Sequence, residues 1–469
     1  MADVTDKDAV AIVGMSCRFA GCANLRAYWL RILAGEPAFT DSPDPDARRF
    51  LARDSSQFGY VPTVRGGFLQ ELWQASPSAL DLPAGSLQAA NPEFALASDL
   101  VQQALKSAEK STKSLPRDRI GLILGHCPQM DAASVNWVQH GIAVDQTVDL
   151  IRRCFPHGST EQFEALRAGL VAALPAYDSR NAHLLFSHAI LPLLTEHFDI
   201  SGPAFAVNAG GVSSHEAVLA AVDALTARRA DLVLAGGVQG VVSPQYLMPY
   251  AKLGLLSRSD VIHPFGQDAD GTLLGEGGAI LAFKRLADAV RDEDRIYAIV
   301  RAASVAAGGG TNTKNGPSLT AICRSACRLS GIAADSVKLV EGEGSALPAQ
   351  DKDEVRALTG VYADGGRPGP GTVALGTVKG LIGHTGPAAG AAGLVKAALA
   401  LYHRVIPPSQ EAGRPNAQLK LGETPFYLNL APRPWIHNDQ GYPRRAAVTA
   451  LTYDGYAACL ILEQFRSGR

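Results

Sequence analysis

Short apolar runs of three to seven residues alternate with longer stretches in which small and apolar residues recur at helical spacing. The apolar runs predict strands at 9–13, 120–124, 204–207, 232–235, 279–283, 297–303, 339–341, 373–375, 426–428, 446–450 and 460–463. The helical spacing predicts helices at 25–33, 92–110, 161–174, 183–197, 213–229, 286–290, 319–330, 352–359 and 388–403. Strand and helix alternate along the whole chain, so the expected class is α/β with layered sheets and helices. Residues 37–73 and 130–178 are less regular and are expected to form insertions or caps over the core.

Two stretches resemble each other. Residues 211–225 and 383–401 each begin in a glycine loop and continue as a helix of unusually small residues. Such helices pack closely, face to face. The pattern predicts two pseudo-equivalent halves, 8–290 and 291–465. The doublets at 236–237 and the run at 308–310 lack the strand–turn–helix setting of a dinucleotide fingerprint and read as turns.

Composition narrows the function classes. The chain has 469 residues, 47% of them hydrophobic, which is enough for a substantial core. A net charge of −2 gives no electrostatic case for nucleic acid. The most apolar helix carries Lys396 and is too short to span a bilayer, so no membrane partner is expected. The first eight residues are polar and acidic, unlike a signal peptide. Seven cysteines at odd spacings suit neither a zinc site nor a disulfide framework, and no metal is expected. Cys323 and Cys327, one helical turn apart, read as core thiols, as do Cys17 and Cys127. A reducing, cytoplasmic compartment follows.

The candidate chemistry sits at 203–215, Pro-Ala-Phe-Ala-Val-Asn-Ala-Gly-Gly-Val-Ser-Ser-His. This is a buried strand, a tight turn and a helix N-terminus, an arrangement that lifts one side chain above a sheet and aims backbone N–H groups at it. The residue at the turn is Gly211, which has no side chain. Glycine tolerates the strained backbone such a turn needs, so a gain in stability there is expected.

The motifs resemble those of polyketide-type β-ketoacyl synthases. Residues 8–19 look like the family's opening strand. His263-Pro264-Phe265-Gly266-Gln267-Asp268-Ala269-Asp270-Gly271 with Gly275-Glu276-Gly277 looks like its internal signature. Thr377-Val378-Lys379-Gly380-Leu381-Ile382-Gly383-His384-Thr385 is similar to its lysine–histidine loop. The resemblance covers residues 8 to 465. It implies a thiolase-like fold, a five-layer αβαβα sandwich of two fused halves, and a dimer. It also implies acyl substrates carried on the phosphopantetheine of an acyl carrier protein or on CoA, with no bound cofactor. The family uses a cysteine nucleophile and two histidines. Position by position, the nucleophile falls on Gly211, the first histidine on Glu343 and the second on His384, with the family lysine at Lys379. Glu341, Gly344, Asp351 and Glu354 keep the register. The family's aromatic gate maps to Tyr453, in a loop 452–457 that otherwise departs from the pattern. Ser213 and Ser214 lie beyond the turn and suit N-capping, with Ser213 also a candidate contact to substrate.

Three functions remain open at this point. One is a non-elongating partner in polyketide or fatty-acyl assembly, resembling a chain-length factor, as a homodimer or a heterodimer with an active ketosynthase. The retained Lys379–His384 loop counts against that particular role. The second is altered chemistry on a carrier-bound acyl thioester, by decarboxylation, acyl transfer or cyclisation, using His384, Lys379 and Glu343. The third is a docking module for a carrier protein.

Overall fold

The structure is a computed structural model that describes residues 9–52, 57, 59–74, 92–113, 115–127, 132–174, 176, 185–307, 318–362, 369–409, 414–437 and 441–466. The glycine run at 308–310 and residues 183–184 of one predicted helix lie outside them.

Eleven strands form one sheet: β1 (Val10–Phe19), β2 (Ile120–His126), β3 (Ala204–Val207), β4 (Leu232–Gln239), β5 (Gly277–Arg285), β6 (Ala298–Ala307), β7 (Leu339–Glu341), β8 (Val373–Gly376), β9 (Phe426–Leu428), β10 (Arg445–Leu451) and β11 (Tyr456–Glu463). Their spatial order is β9-β8-β7-β10-β11-β6-β1-β5-β4-β2-β3. The sequence therefore repeats itself in topology. On one side the order runs β1-β5-β4-β2-β3, and on the other β6-β11-β10-β7-β8, with β9 added at the edge. Both sides share the same senses: two antiparallel pairings next to the seam, then parallel ones. A short antiparallel contact between Val10–Ile12 and Ala298–Val300 joins the two halves.

Five layers follow from which faces are apolar. Inner strands such as β2, β4 and β5 are buried on both sides, so helices must cover both, whereas β3 at the edge is largely exposed. The Ser213–Thr226 and Ala389–His403 helices pack between the two halves, where Ala217, Ala221, Ala391, Ala392, Ala397 and Ala398 let backbones approach. Glu93–Ser107 and Ile190–His197 cover the outer face of the first half. Leu319–Ser330 and Pro348–Tyr362 cover the outer face of the second. Local signals set the ends: Ser318 caps its helix by accepting from the Ala321 N–H, and Gly331 closes it at φ 65°.

Two features bear on function. Among the described residues β3 is the terminal strand of the sheet, paired with β2 alone, and Phe205 on it is 44% exposed. The region expected to be irregular contains, besides the predicted helix now seen at Thr160–Ala172, the α-helices Ala132–Val138 and Val144–Cys154 joined by a π-helical turn at Gln139–Ala143. In the second of these only Val144 and Val148 are buried. Val144, Val148 and Ile151 nonetheless follow helical spacing, so this helix was legible in the sequence and the expectation of irregular structure there is corrected.

Candidate active site

The site lies at the carboxyl ends of β3, β7 and β8, where loops of an α/β sheet converge. β3 leads into the turn at Gly211, β7 into Glu343, and β8 into the Lys379–Ile382 turn and His384. The β10–β11 hairpin brings Tyr453. Gly210, Gly211, Glu343, His384, Tyr453 and Asp454 share the wall of one pocket with a volume of about 330 Å³. Its apolar side comes from Tyr250, Leu253, Leu255 and Leu347, and its further polar groups from Thr272, Ser345 and Gln350.

Glu343 is the hub. Its Oε1 lies 3.0 Å from Lys379 Nζ and 3.4 Å from His384 Nε2. Lys379 Nζ also donates to the Glu343 backbone carbonyl at 2.8 Å. Gly386 N–H donates to His384 Nδ1 at 3.1 Å, so in the neutral ring the proton resides on Nε2 and points at Glu343. Burial opposes ionisation of Glu343, but the Lys379 ammonium and the His384 contact outweigh it and hold the carboxyl below the usual range. Behind it, Glu354 accepts from the Glu343 and Gly344 N–H groups at 2.6 and 2.9 Å. Burial, reinforced by the Glu343 and Asp351 charges, pushes Glu354 up to about 8. Burial likewise raises Asp351 to about 6. The loop thus concentrates one ionised carboxylate against a lysine and sets beneath it a second whose ionisation burial opposes.

The turn differs from expectation in three respects. The left-handed backbone falls on Gly210, φ 55°, and not on Gly211. A Cβ at 211 would sit 3.4 Å from His384 Cε1 and from Thr452 Cγ2, an ordinary contact. Glycine at 211 therefore relieves no strain. Ser213 does not line the pocket: it is fully buried, its hydroxyl donates to the Gly210 carbonyl at 2.7 Å and accepts from Ala209 N–H at 2.9 Å, bracing the turn. Cys127 is not a core thiol. It is half-buried at the end of β2, and its Sγ donates to Asn208 Oδ1 at 2.7 Å. Burial raises its pKa, so it stays a thiol near neutral pH. Cys154 is exposed, whereas Cys17, Cys22, Cys323 and Cys459 are buried.

Tyr250, Thr272, Ser345 and Gln350 carried no signal in the sequence, because their approach to the pocket depends on the tertiary fold. His215 did leave one, as a lone aromatic base four residues past the turn in a helix of small residues. Among the described residues, no cluster of three or more His, Cys, Asp or Glu side chains could hold a metal. Nor is any helix among them long and apolar enough to cross a membrane.

Known proteins match this arrangement along its length. Residues 7–174 and 188–289 match the β-ketoacyl synthase N-terminal domain, and residues 297–412 its C-terminal domain. A phenolphthiocerol/phthiocerol polyketide synthase of Mycobacterium tuberculosis is 31% identical over 97% of this chain. Polyketide synthase PksL of Bacillus subtilis is 27% identical over 98% of it. The chain spans 27% of the first protein and 9% of the second. The ketosynthase from module 6 of the Bacillus subtilis bacillaene synthase superposes with a TM-score of 0.78 at 26% identity, covering 98% of this chain and 72% of that one. The Streptomyces albus oxazolomycin ketosynthase domain superposes with a TM-score of 0.81 at 24% identity, over 98% and 75%, a likeness of fold. With its repeated sheet, its five layers and these matches, the chain belongs to the β-ketoacyl synthase family, of the polyketide synthase type and with the thiolase fold.

Proposed function

We propose that the chain is a ketosynthase-fold component of polyketide assembly that does not elongate, acting beside carrier-bound thioesters as a chain-length-factor-like or other non-condensing partner. The observation that carries this reading is the position of Glu343. Decarboxylative condensation needs a nucleophile to hold the acyl chain and donors free to bind the extender carbonyl. Gly211 offers no nucleophile. The Glu343 carboxylate, 3.0 Å from Lys379 Nζ and 3.4 Å from His384 Nε2, occupies both retained polar groups, of which His384 lines the pocket. It also brings negative charge to a pocket that, in a condensing enzyme, must admit a carboxylated extender. The Lys379 ammonium that pairs with it lies behind the wall, and among the described residues His384 is the basic side chain that lines that pocket.

The expected substrate context is an acyl chain on the phosphopantetheine of a carrier protein, in the cytoplasm. Incubation with an acyl primer and malonyl carrier should give no elongated product. Efficient elongation by the unmodified protein would overturn the proposal.

A second reading rests on the pocket itself. A space of about 330 Å³ beside His384 and Glu343 is large enough to take an acyl thioester. Chemistry without a covalent acyl-enzyme, by decarboxylation, transfer or cyclisation, would then depend on His384 Nε2–H as the carbonyl donor. Removing one such donor costs about 10²–10³ in rate. A carrier-thioester activity that disappears in His384→Ala favours this reading. An activity insensitive to that change removes His384 from it.

A further inference from the structure

A second, much smaller cavity lies behind the pocket, between the two central helices and the strand ends. It has room of about 10 Å³ for the centre of a water-sized molecule. Its wall includes Gly211 and Glu343, which also face the main pocket, together with His215, Glu341, Lys379 and Thr449. His215 is 3% exposed, and neither ring nitrogen has a hydrogen-bond partner among the described residues. Thr449 Oγ1 is likewise buried without one. Glu341 and Lys379 are already committed, Glu341 to Lys396 at 2.7 Å and Lys379 to Glu343.

Orphaned buried polar atoms are costly, and native proteins avoid them. Here three residues with orphaned atoms line one space of the right size: His215, Thr449 and Glu341, whose Oε2 is ion-paired to Lys396 but accepts no well-formed hydrogen bond. The ring is also held deliberately: a Cβ on Gly390 would come within 2.3 Å of His215 Cε1 and Nδ1, so a glycine is needed in the facing helix to admit the imidazole. Burial pushes the His215 pKa down to about 4, so near neutral pH the ring carries one N–H and one lone pair. Water can satisfy either, and a cavity this small takes one water when two to four polar groups face it.

We propose that this cavity is a binding site for a single ordered water that bridges His215 and Thr449 to the Glu343 carboxylate. Through that water His215 is a positioning residue, holding Glu343 on Lys379. The role does not depend on whether the protein elongates an acyl chain, so it stands or falls apart from the functional reading above.

High-resolution crystal structures and thermal unfolding test it together. The parent structure should show one water within hydrogen-bond distance of a His215 nitrogen and Thr449 Oγ1. In His215→Leu the water should be lost and the Glu343 carboxylate should swing off Lys379. His215→Gln, which keeps a polar group in the cavity, should retain both. If one water links the two side chains, the Tm loss from Thr449→Val should be much smaller in the His215→Leu background than in the parent. A dry cavity in the parent would overturn the proposal. So would an unmoved Glu343 in folded His215→Leu, or additive Tm losses. If His215→Leu does not fold, the parent water and the His215→Gln structure still decide it.

Discussion

A carboxylate at 343 changes what every neighbouring side chain can do. Buried and ionised, it is stabilised chiefly by Lys379 and His384, and they in turn are held by it. Removing one partner of such a pair leaves an uncompensated charge. Glu343→Gln should therefore destabilise the fold by about 3–5 kcal/mol, read as a lower Tm in thermal unfolding. The low folded pKa of Glu343 adds stability that is present above its ordinary value of 4.5 and lost as pH falls below it. Glu354 works in the opposite direction. Its folded pKa of about 8 lies above the ordinary 4.5, so its favourable contribution is complete below pH 4.5 and is lost as pH rises from there through 8. Stability measured by denaturant titration should fall across that window, and Glu354→Gln should flatten the fall. Gly211 is the contrasting case. Its backbone is unstrained and the space beside it admits a side chain, so Gly211→Cys should fold with little change in Tm. It should still not elongate, because the thiol would face the Glu343 charge and residues acting as a unit are not restored singly.

The two central helices show how element packing prepares the site. They cross where Gly390 meets His215 and where the Ala391 N–H donates to Ser214 Oγ at 2.9 Å. Gly390→Ala would place a methyl group into the imidazole. The expected cost is about 1–3 kcal/mol, seen as a lower Tm, with partial recovery in the double variant with His215→Ala. These helices were legible in the sequence because their small residues repeat at helical spacing. The sheet strands were legible for a related reason: runs such as 120–124 and 232–235 are apolar throughout, as strands covered on both faces must be. The motif register also placed Gly211, Glu343 and His384 around one pocket. What sequence could not supply was direction. Ser213 looked like a neighbour of the substrate, but the turn rotates its hydroxyl back onto Gly210. Cys127 looked like core, but β2 ends one residue before it, beside the turn. The Pro244–Lys252 helix, which supplies Tyr250, was hidden by two prolines in nine residues.

At the scale of the whole molecule, an eleven-stranded sheet ends in a short strand whose outer edge is unpaired among the described residues. Such an edge invites a partner strand, and Phe205 exposes apolar surface on it. A dimer through Ala204–Val207 is expected, with a second copy or with a condensing ketosynthase. Light scattering behind size exclusion should report a dimer, and Ala206→Pro should shift it to monomer by removing an edge N–H. A strict monomer, alone and with its pathway ketosynthase, would contradict this. Whether the chain can hold an acyl group is decided by intact-protein mass spectrometry after incubation with an acyl-carrier thioester. The mass should be unchanged, since Gly211 offers no nucleophile and burial keeps Cys127 a thiol. A stoichiometric acyl adduct mapped to Cys127, Ser213 or Ser214 would contradict it.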